Sequence, residues 1–274
     1  MTDWLESARL PAVRKTPSVA ARERLLALPG EPLFVADWER ALMIHYEVEA
    51  EPLQREVPFK LDRRDGRAFV SIVAFTMSGL RPRLGRRLAT WLLKPIGTHR
   101  FLNVRTYVQH SGETGIYFLA EWLSNRLSVA LGPRMFGLPY RFGRLDYQHG
   151  REQGDLCGHA ADPAGKGVLA YRAVLDARAK PAECEAGTLD EWLMERYTAF
   201  THVAGKAGFF RVWHQPWPQL RASATVTEQG LLEANWPFLR GARIVGANFS
   251  PGVFNVWMGW PHRLPQAISA GADS

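Results

Sequence analysis

Apolar runs rich in β-branched and aromatic residues dominate the middle of the chain. Ala68–Phe75 (AFVSIVAF) and Val104–Gln109 (VRTYVQ) have this character, and Gly115–Trp122 (GIYFLAEW) follows the second across Ser111-Gly112-Glu113-Thr114. The last two runs are predicted to pair as a hairpin. Further strands are predicted at Val168–Leu175, Phe209–His214, Ala222–Thr227 and Val253–Met258, with a second hairpin turn at 204–208. Helical spacing is rarer. Leu127, Ala130, Leu131 and Met135 mark one face of a helix over Ser124–Phe136, stopped by Gly137 and Pro139. Pro133 inside it predicts a kink or an early end. Thr188 and Glu191 form a capping box, in which each side chain satisfies the other residue's free backbone N–H. The helix they start is predicted to run to about Phe200 and to carry Glu195, Arg196 and Tyr197. The mixture predicts an α+β fold built on one large antiparallel sheet.

Residues 1–30 hold Pro11, Pro17 and Pro29 among many charges and read as an N-terminal extension, helical or frayed. One domain is expected over 31–266, and 267–274 reads as a loose tail. Gly150–Gly167, rich in Gly, Asp and Ala, reads as a surface loop. At 274 residues and 46% hydrophobic composition the chain can bury a sizeable core. Asp3 and Glu6 sit where a secretory leader carries positive charge, and no apolar run approaches the ~20 residues of a membrane span. Two cysteines, Cys157 and Cys184, are too few for a disulfide framework, so a reduced, cytoplasmic protein is expected.

The net charge of +7 comes from 34 basic and 27 acidic residues and is unevenly placed. No acid occurs from Gly66 to Gly112, a stretch that holds Arg67, Arg81, Arg83, Arg86, Arg87, Lys94, Arg100 and Arg105. A generally basic nucleic-acid surface is therefore not expected; one region needs an anionic partner. Within it Leu84, Leu88, Trp91, Leu92 and Ile96 recur at helical spacing among Arg86, Arg87 and Lys94. That segment fits a lid, a plain surface helix, or a helix on an anionic membrane surface, the last not being favoured. No Gly-rich phosphate loop, HExxH or GxSxG motif is present. His149, Cys157, His159 and Cys184 lack regular metal-ligand spacing, and neither a metal nor another cofactor is expected.

Seven short pieces in order carry a resemblance. They are 75–83 (FTMSGLRPR), 102–108 (LNVRTYV), 115–118 (GIYF), 136–140 (FGLPY), 195–197 (ERY), 214–217 (HQPW) and 249–252 (FSPG). Together they span roughly residues 34 to 262 and resemble the bacterial DUF2071 (YqjF-like) family. One departure is Asn248, where family members often have a histidine. The family is similar to acetoacetate decarboxylase, and the resemblance implies a β-rich domain curved around a central cavity with helices outside. In that enzyme a lysine forms a Schiff base, with a second lysine beside it to keep it neutral. Tyr140 and Arg141 stand at the corresponding turn, and the catalytic carboxylate would fall near Val70. A phenol forms no imine and a guanidinium is not nucleophilic, so a Schiff-base decarboxylase is not expected even on a shared fold.

The candidate cavity and ligand-binding residues are Arg81, Arg83, Arg105, Tyr107, Glu121, Tyr140, Arg141, Glu195, His214 and Trp217. Arg105 and Tyr107, two apart on a strand, share a face. If that face is inward, Arg105 is a buried cation, and Glu121 on the neighbouring strand is its expected partner. Tyr140 is a donor to a reacting oxygen, and His214 an acid or base. Trp217 fills the core or a pocket wall. The combined reading is a protein that takes up a small anionic or carbonyl-containing metabolite, either with lysine-independent acid/base chemistry or as a non-catalytic binder or sensor. A peripheral membrane or interaction role for 81–96 is the further alternative.

Overall fold

The computed structural model describes residues 16–84, 91, 93–150, 154–176 and 178–264. Fourteen strands are described, beginning with β1 (Phe34–Val48), β2 (Lys60–Leu61), β3 (Ala68–Pro82), β4 (His99–His110) and β5 (Glu113–Leu123). Then come β6 (Tyr140–Phe142), β7 (Arg144–Gln148), β8 (Asp155–Ala161) and β9 (Val168–Leu175). The last five are β10 (Thr198–Val203), β11 (Lys206–Trp213), β12 (Leu220–Glu228), β13 (Arg243–Met258) and β14 (His262–Arg263).

Neighbours run β11-β10-β5-β4-β3-β1-β13, and β13 pairs back onto β11 through Val212–Met258 and Trp213–Trp257, so these strands close a ring. From β13 the sheet continues through β12, β9 and β8 to β7. The sheet is mixed rather than wholly antiparallel, because β10 and β6 each run parallel to β5. The β7–β9 arm packs over the outer face of the ring, where Leu145, Leu156 and Tyr171 share one apolar core with Ile44, Ile72 and Trp122. A second core fills the inside of the ring, with Met43, Phe75, Phe101 and Phe210 among its members. Burial on both faces explains why β3 and β4 read as continuous apolar runs instead of alternating ones.

A bulge in β5 sets up the interior. Val104 pairs with Ala120 but Arg105 pairs with Phe118, which leaves Leu119 as the extra residue. The alternation of faces slips by one there, so Phe118 and Glu121, three apart, both line the interior.

Several expectations change. The helix capped by Thr188 ends at Met194, and Thr198–Val203 is a strand, because a Thr-Ala-Phe-Thr run pairs with both β5 and β11. Glu195, Arg196 and Tyr197 therefore lie in the connection and not on a helix. The Gly150–Gly167 stretch holds a strand, β8, laddered between β7 and β9. β1 went unrecognised in the sequence because Asp37, Glu39 and Arg40 interrupt its apolar pattern at a register shift next to Arg40, which has φ 52°. The helix Arg126–Phe136 continues past Pro133, held at its start by Asn125, whose side chain accepts the Ser128 N–H at 3.0 Å. The β4–β5 turn needs only Ser111 and Gly112, both at positive φ.

Candidate functional site

The ring encloses a largely apolar cavity with about 100 Å³ open to the centre of a water molecule. Inward positions of successive strands line it in rows. Tyr140 of β6 pairs with Glu121 of β5, Glu121 with Asn103 of β4, Asn103 with Val73 of β3, and Val73 with Met43 of β1. All five line the cavity. Trp38 stacks on Trp217 at 6.0 Å, and Phe75 on Phe101 at 5.0 Å, which gives one wall an aromatic surface.

Four polar atoms in this apolar setting are buried and have no hydrogen-bond partner among the described residues: Asn103 Oδ1, Arg105 Nε, Glu121 Oε2 and Arg196 Nη2. Every one of these residues lines the cavity. Unpaired buried polar atoms are costly, so four around one cavity are the signature of a place for a polar ligand. The expected Arg105–Glu121 ion pair does not form. Arg105 instead donates from Nη2 to the Leu193 carbonyl at 3.2 Å, and no carboxylate of the described residues contacts it. Arg196 is paired: its Nη1 donates to Asp62 at 2.7 Å, its Nε donates to the Trp192 carbonyl at 2.6 Å, and its guanidinium lies over the Trp192 ring at 4.1 Å. The site thus holds two guanidinium groups and one balancing carboxylate, Asp62. Burial drives the Glu121 carboxyl well above the usual carboxylate range, with Arg105 drawing it back only in part. Burial, and the charge Glu121 would carry, likewise hold the Tyr140 hydroxyl protonated. Both are therefore proton or hydrogen-bond donors, and with Arg105 Nε and Arg196 Nη2 they suit an anion, while Asn103 Oδ1 is an acceptor for a donor on the ligand.

His214 closes the far side. Its Nδ1 faces the Gln215 carbonyl at 2.7 Å and must carry the proton, leaving Nε2 an acceptor. Burial lowers its pKa to about 4, so it is neutral at pH 7. It packs against Tyr197 at 4.7 Å and Trp217 at 5.0 Å. Glu195 lies behind this wall, where its carboxylate accepts from the Tyr197 hydroxyl and from the Trp217 N–H at 2.9 Å.

A buried chain of hydrogen bonds supports Arg105. His45 Nε2 meets Asn248 Oδ1 at 3.1 Å and therefore carries the proton, and Ser71 Oγ donates to His45 Nδ1 at 2.7 Å. The Tyr107 hydroxyl meets Ser71 Oγ at 2.5 Å and shares the Leu193 carbonyl with Arg105. Asn248, the departure from the family pattern, has a clear place: its Nδ2 donates to Gln219 at 2.8 Å. Tyr107 is thus a support of the site and not part of its lining.

Of the ten candidates, Arg105, Glu121, Tyr140, His214 and Trp217 converge on the cavity. Arg81 lies outside, against Asn255 at 2.6 Å and Asp37, and Arg83 covers Trp257. Arg141 points away from Tyr140, as adjacent strand residues must, and donates to Asn235 at 2.5 Å. The sequence reading missed Asn103 and Arg196. Asn103 sits two residues before Arg105 on the same face, a signal that was available. Arg196 was hidden by the supposed helix. The acid-free stretch is also explained: Arg67, Arg81 and Arg100 find Glu47, Asp37 and Asp146 from elsewhere in the chain, and Arg105 alone among its described cations lines the cavity. Arg86 and Arg87, and with them most of the amphipathic 84–96 segment, lie outside the described residues. No helix of the described residues is long and apolar enough to cross a membrane. His149 contacts the Arg40 carbonyl and the Tyr171 hydroxyl, and Cys157 the Gln148 side chain, so these two potential metal ligands have protein partners.

Comparison with known proteins agrees with this architecture. An acetoacetate decarboxylase-like enzyme from Sphingomonas wittichii RW1 superposes with a TM-score of 0.61 at 14% identity, over 86% of this chain and 95% of its own. The enduracididine biosynthesis enzyme MppR, solved with the condensation product of pyruvate and imidazole 4-carboxaldehyde, gives 0.61 at 12% identity, over 85% and 89%. Acetoacetate decarboxylase from Legionella pneumophila gives 0.58 at 11% identity, over 93% and 98%. At these identities the shared property is the fold. In sequence the chain is 29% identical to the uncharacterized protein YqjF of Bacillus subtilis (strain 168) over 202 residues, which is 72% of this chain and 79% of that one. The model of DUF2071, described as an uncharacterized conserved protein, matches residues 35–252, and the chain belongs to that family.

Proposed function

We propose that this protein binds a small monocarboxylate bearing a carbonyl group in the ring cavity and acts on it by lysine-independent acid/base chemistry. The observation that carries this reading is the set of four unpartnered buried atoms on Asn103, Arg105, Glu121 and Arg196 around one apolar cavity. Two guanidiniums and one carboxylate leave one positive charge unbalanced, which suits a ligand of charge −1. Two of the MppR structures hold pyruvate or a product made from it, which favours the keto-acid class.

The lysine chemistry of the decarboxylases has no counterpart among the described residues. Lys60, Lys94, Lys166, Lys180 and Lys206 are all exposed, and none lines the cavity. The available chemistry is enolisation. The Arg105 and Arg196 guanidiniums hold the carboxylate. Glu121 or Tyr140 donates a proton to the carbonyl oxygen as His214 Nε2 takes the proton from the adjacent carbon, giving an enol and an imidazolium; the reverse step returns both protons. A histidine as weakly basic as His214 needs the carbonyl polarised in the same step, and the protonated Glu121 and Tyr140 supply that.

The test is solvent exchange. In D₂O, the methyl protons of pyruvate are expected to exchange faster with the protein than without it, read by proton NMR. Glu121→Gln, combined with Tyr140→Phe, is expected to abolish the acceleration. Exchange that is equally fast in the double variant, or a lysine adduct trapped with pyruvate and borohydride, overturns the reading.

A further inference from the structure

A second cavity adjoins the first. It has about 70 Å³ open to the centre of a water molecule, and it shares Met77, Phe101, Phe136, Tyr140 and Met258 with the ring cavity as common wall. Leu131 and Met135, both partly exposed on the Arg126–Phe136 helix, form its outer rim, so it lies between the ring cavity and solvent. Two of the shared side chains are methionines, unbranched and able to swing between rotamers, so the wall can part without moving the backbone.

The second cavity has its own polar end. His99 is 7% exposed and lines it, and neither ring nitrogen has a hydrogen-bond partner of acceptable geometry among the described residues. Ser128 is 6% exposed, lines the same cavity, and its hydroxyl is also unpartnered. Nothing in the chemistry proposed for the ring cavity uses either side chain. Between this end and the first run aromatic rings in contact: His99 tilted on Phe101 at 4.6 Å, Phe101 stacked on Phe75 at 5.0 Å, and Phe75 tilted against Trp38 at 5.6 Å. A passage lined by aromatic rings, which pair with a further ring edge-on or offset, suits a flat aromatic body.

Together these features give two polar ends and an aromatic passage. We infer that the ligand spans both cavities and is an aromatic carboxylic acid with a hydrogen-bonding group at the end remote from the carboxylate, that group being received by His99 and Ser128. The inference rests on the carboxylate reading of the ring cavity and adds the class of the substrate's body and tail. Neutral His99 offers one donor and one acceptor and Ser128 both, so a hydroxyl is matched whichever way its proton points.

Calorimetry with three simple acids tests it: 3-phenylpropanoate, its 4-hydroxy derivative, and hexanoate as a saturated control. The parent protein is expected to bind the 4-hydroxy acid about tenfold tighter than 3-phenylpropanoate, the worth of one well-made buried hydrogen bond, and to bind hexanoate most weakly. His99→Phe keeps the ring on Phe101 and removes both nitrogens; combined with Ser128→Ala it is expected to erase the preference for the hydroxyl while leaving 3-phenylpropanoate affinity unchanged. No preference in the parent, or a preference that survives the double variant, overturns the inference. If pyruvate binds and neither aryl acid does, the inference fails and the carboxylate reading stands; if no acid binds, both fail.

Discussion

Lowering the pH from 7 to 4.5 is expected to unfold the protein. His45, His99, His149 and His214 are all buried, and burial is the leading cause that lowers each to about 4 from an ordinary value of 6.5. The direction of the linkage follows. Between pH 6.5 and 4 the unfolded chain takes up a proton at each histidine and the folded chain does not, so acid favours unfolding. The stability tied to each neutral histidine is fully present above 6.5 and lost as pH falls toward 4. A displacement of that size corresponds to about 3 kcal/mol per group, and four groups together to roughly 10 kcal/mol, comparable with the whole stability of a typical domain. Glu121 and Glu195, raised by burial, act in the opposite sense, two groups against four. Thermal unfolding followed at pH values from 7.5 to 4.5 should show the midpoint dropping steeply below 6.5. His99→Phe should flatten that dependence by at least a quarter, because one of four histidines is removed and the opposing carboxyls stay. A midpoint that stays level to pH 4.5 contradicts the neutral, buried assignment of these rings.

Asp62→Asn is expected to cost about 3–5 kcal/mol, the effect of leaving a buried guanidinium without its carboxylate. Arg196 and Asp62 are 5% and 11% exposed at their side chains, and their contact is 2.7 Å. For a protein of this size the loss is a fall of roughly 10 °C or more in the unfolding midpoint. Replacing both partners, Arg196→Met with Asp62→Leu, should recover most of that stability, since the desolvated charges leave together. The two variants separate stability from binding. Asp62→Asn keeps the cavity guanidinium and its ligand; the double replacement restores the midpoint and loses ligand affinity. A double variant that is stable and binds pyruvate as the parent does would remove Arg196 from the site.

Much of the ring was legible in the sequence. The 68–75, 104–109 and 115–122 runs announce themselves because both faces of those strands are buried and few polar residues interrupt them. The Ser111-Gly112 turn is local, and its left-handed backbone is written in two residues. What was not legible depends on partners distant in sequence. Thr198–Val203 extends as a strand because β5 and β11 offer it ladders on both edges, which a capping box ten residues earlier gives no hint of. β8 forms in a Gly- and Asp-rich stretch because β7 and β9 flank it. The candidate site divides the same way. Arg105, Glu121 and Tyr140 stand out as polar residues within apolar runs or at a turn the family pattern marks. That Glu121 faces the cavity along with Phe118, however, follows from the bulge at Leu119, and Arg196 enters only once the helix before it has ended.

The central claim is that the unpartnered guanidinium N–H groups of the ring cavity, on Arg105 and Arg196, receive a carboxylate. Isothermal titration of pyruvate into the parent protein and into Arg105→Met tests it most directly. The account predicts one site per chain in the parent and affinity weaker by roughly 10- to 100-fold in Arg105→Met, the range expected for one charge-assisted hydrogen bond. Equal affinity for pyruvate in the two proteins, or no binding by the parent, would contradict it.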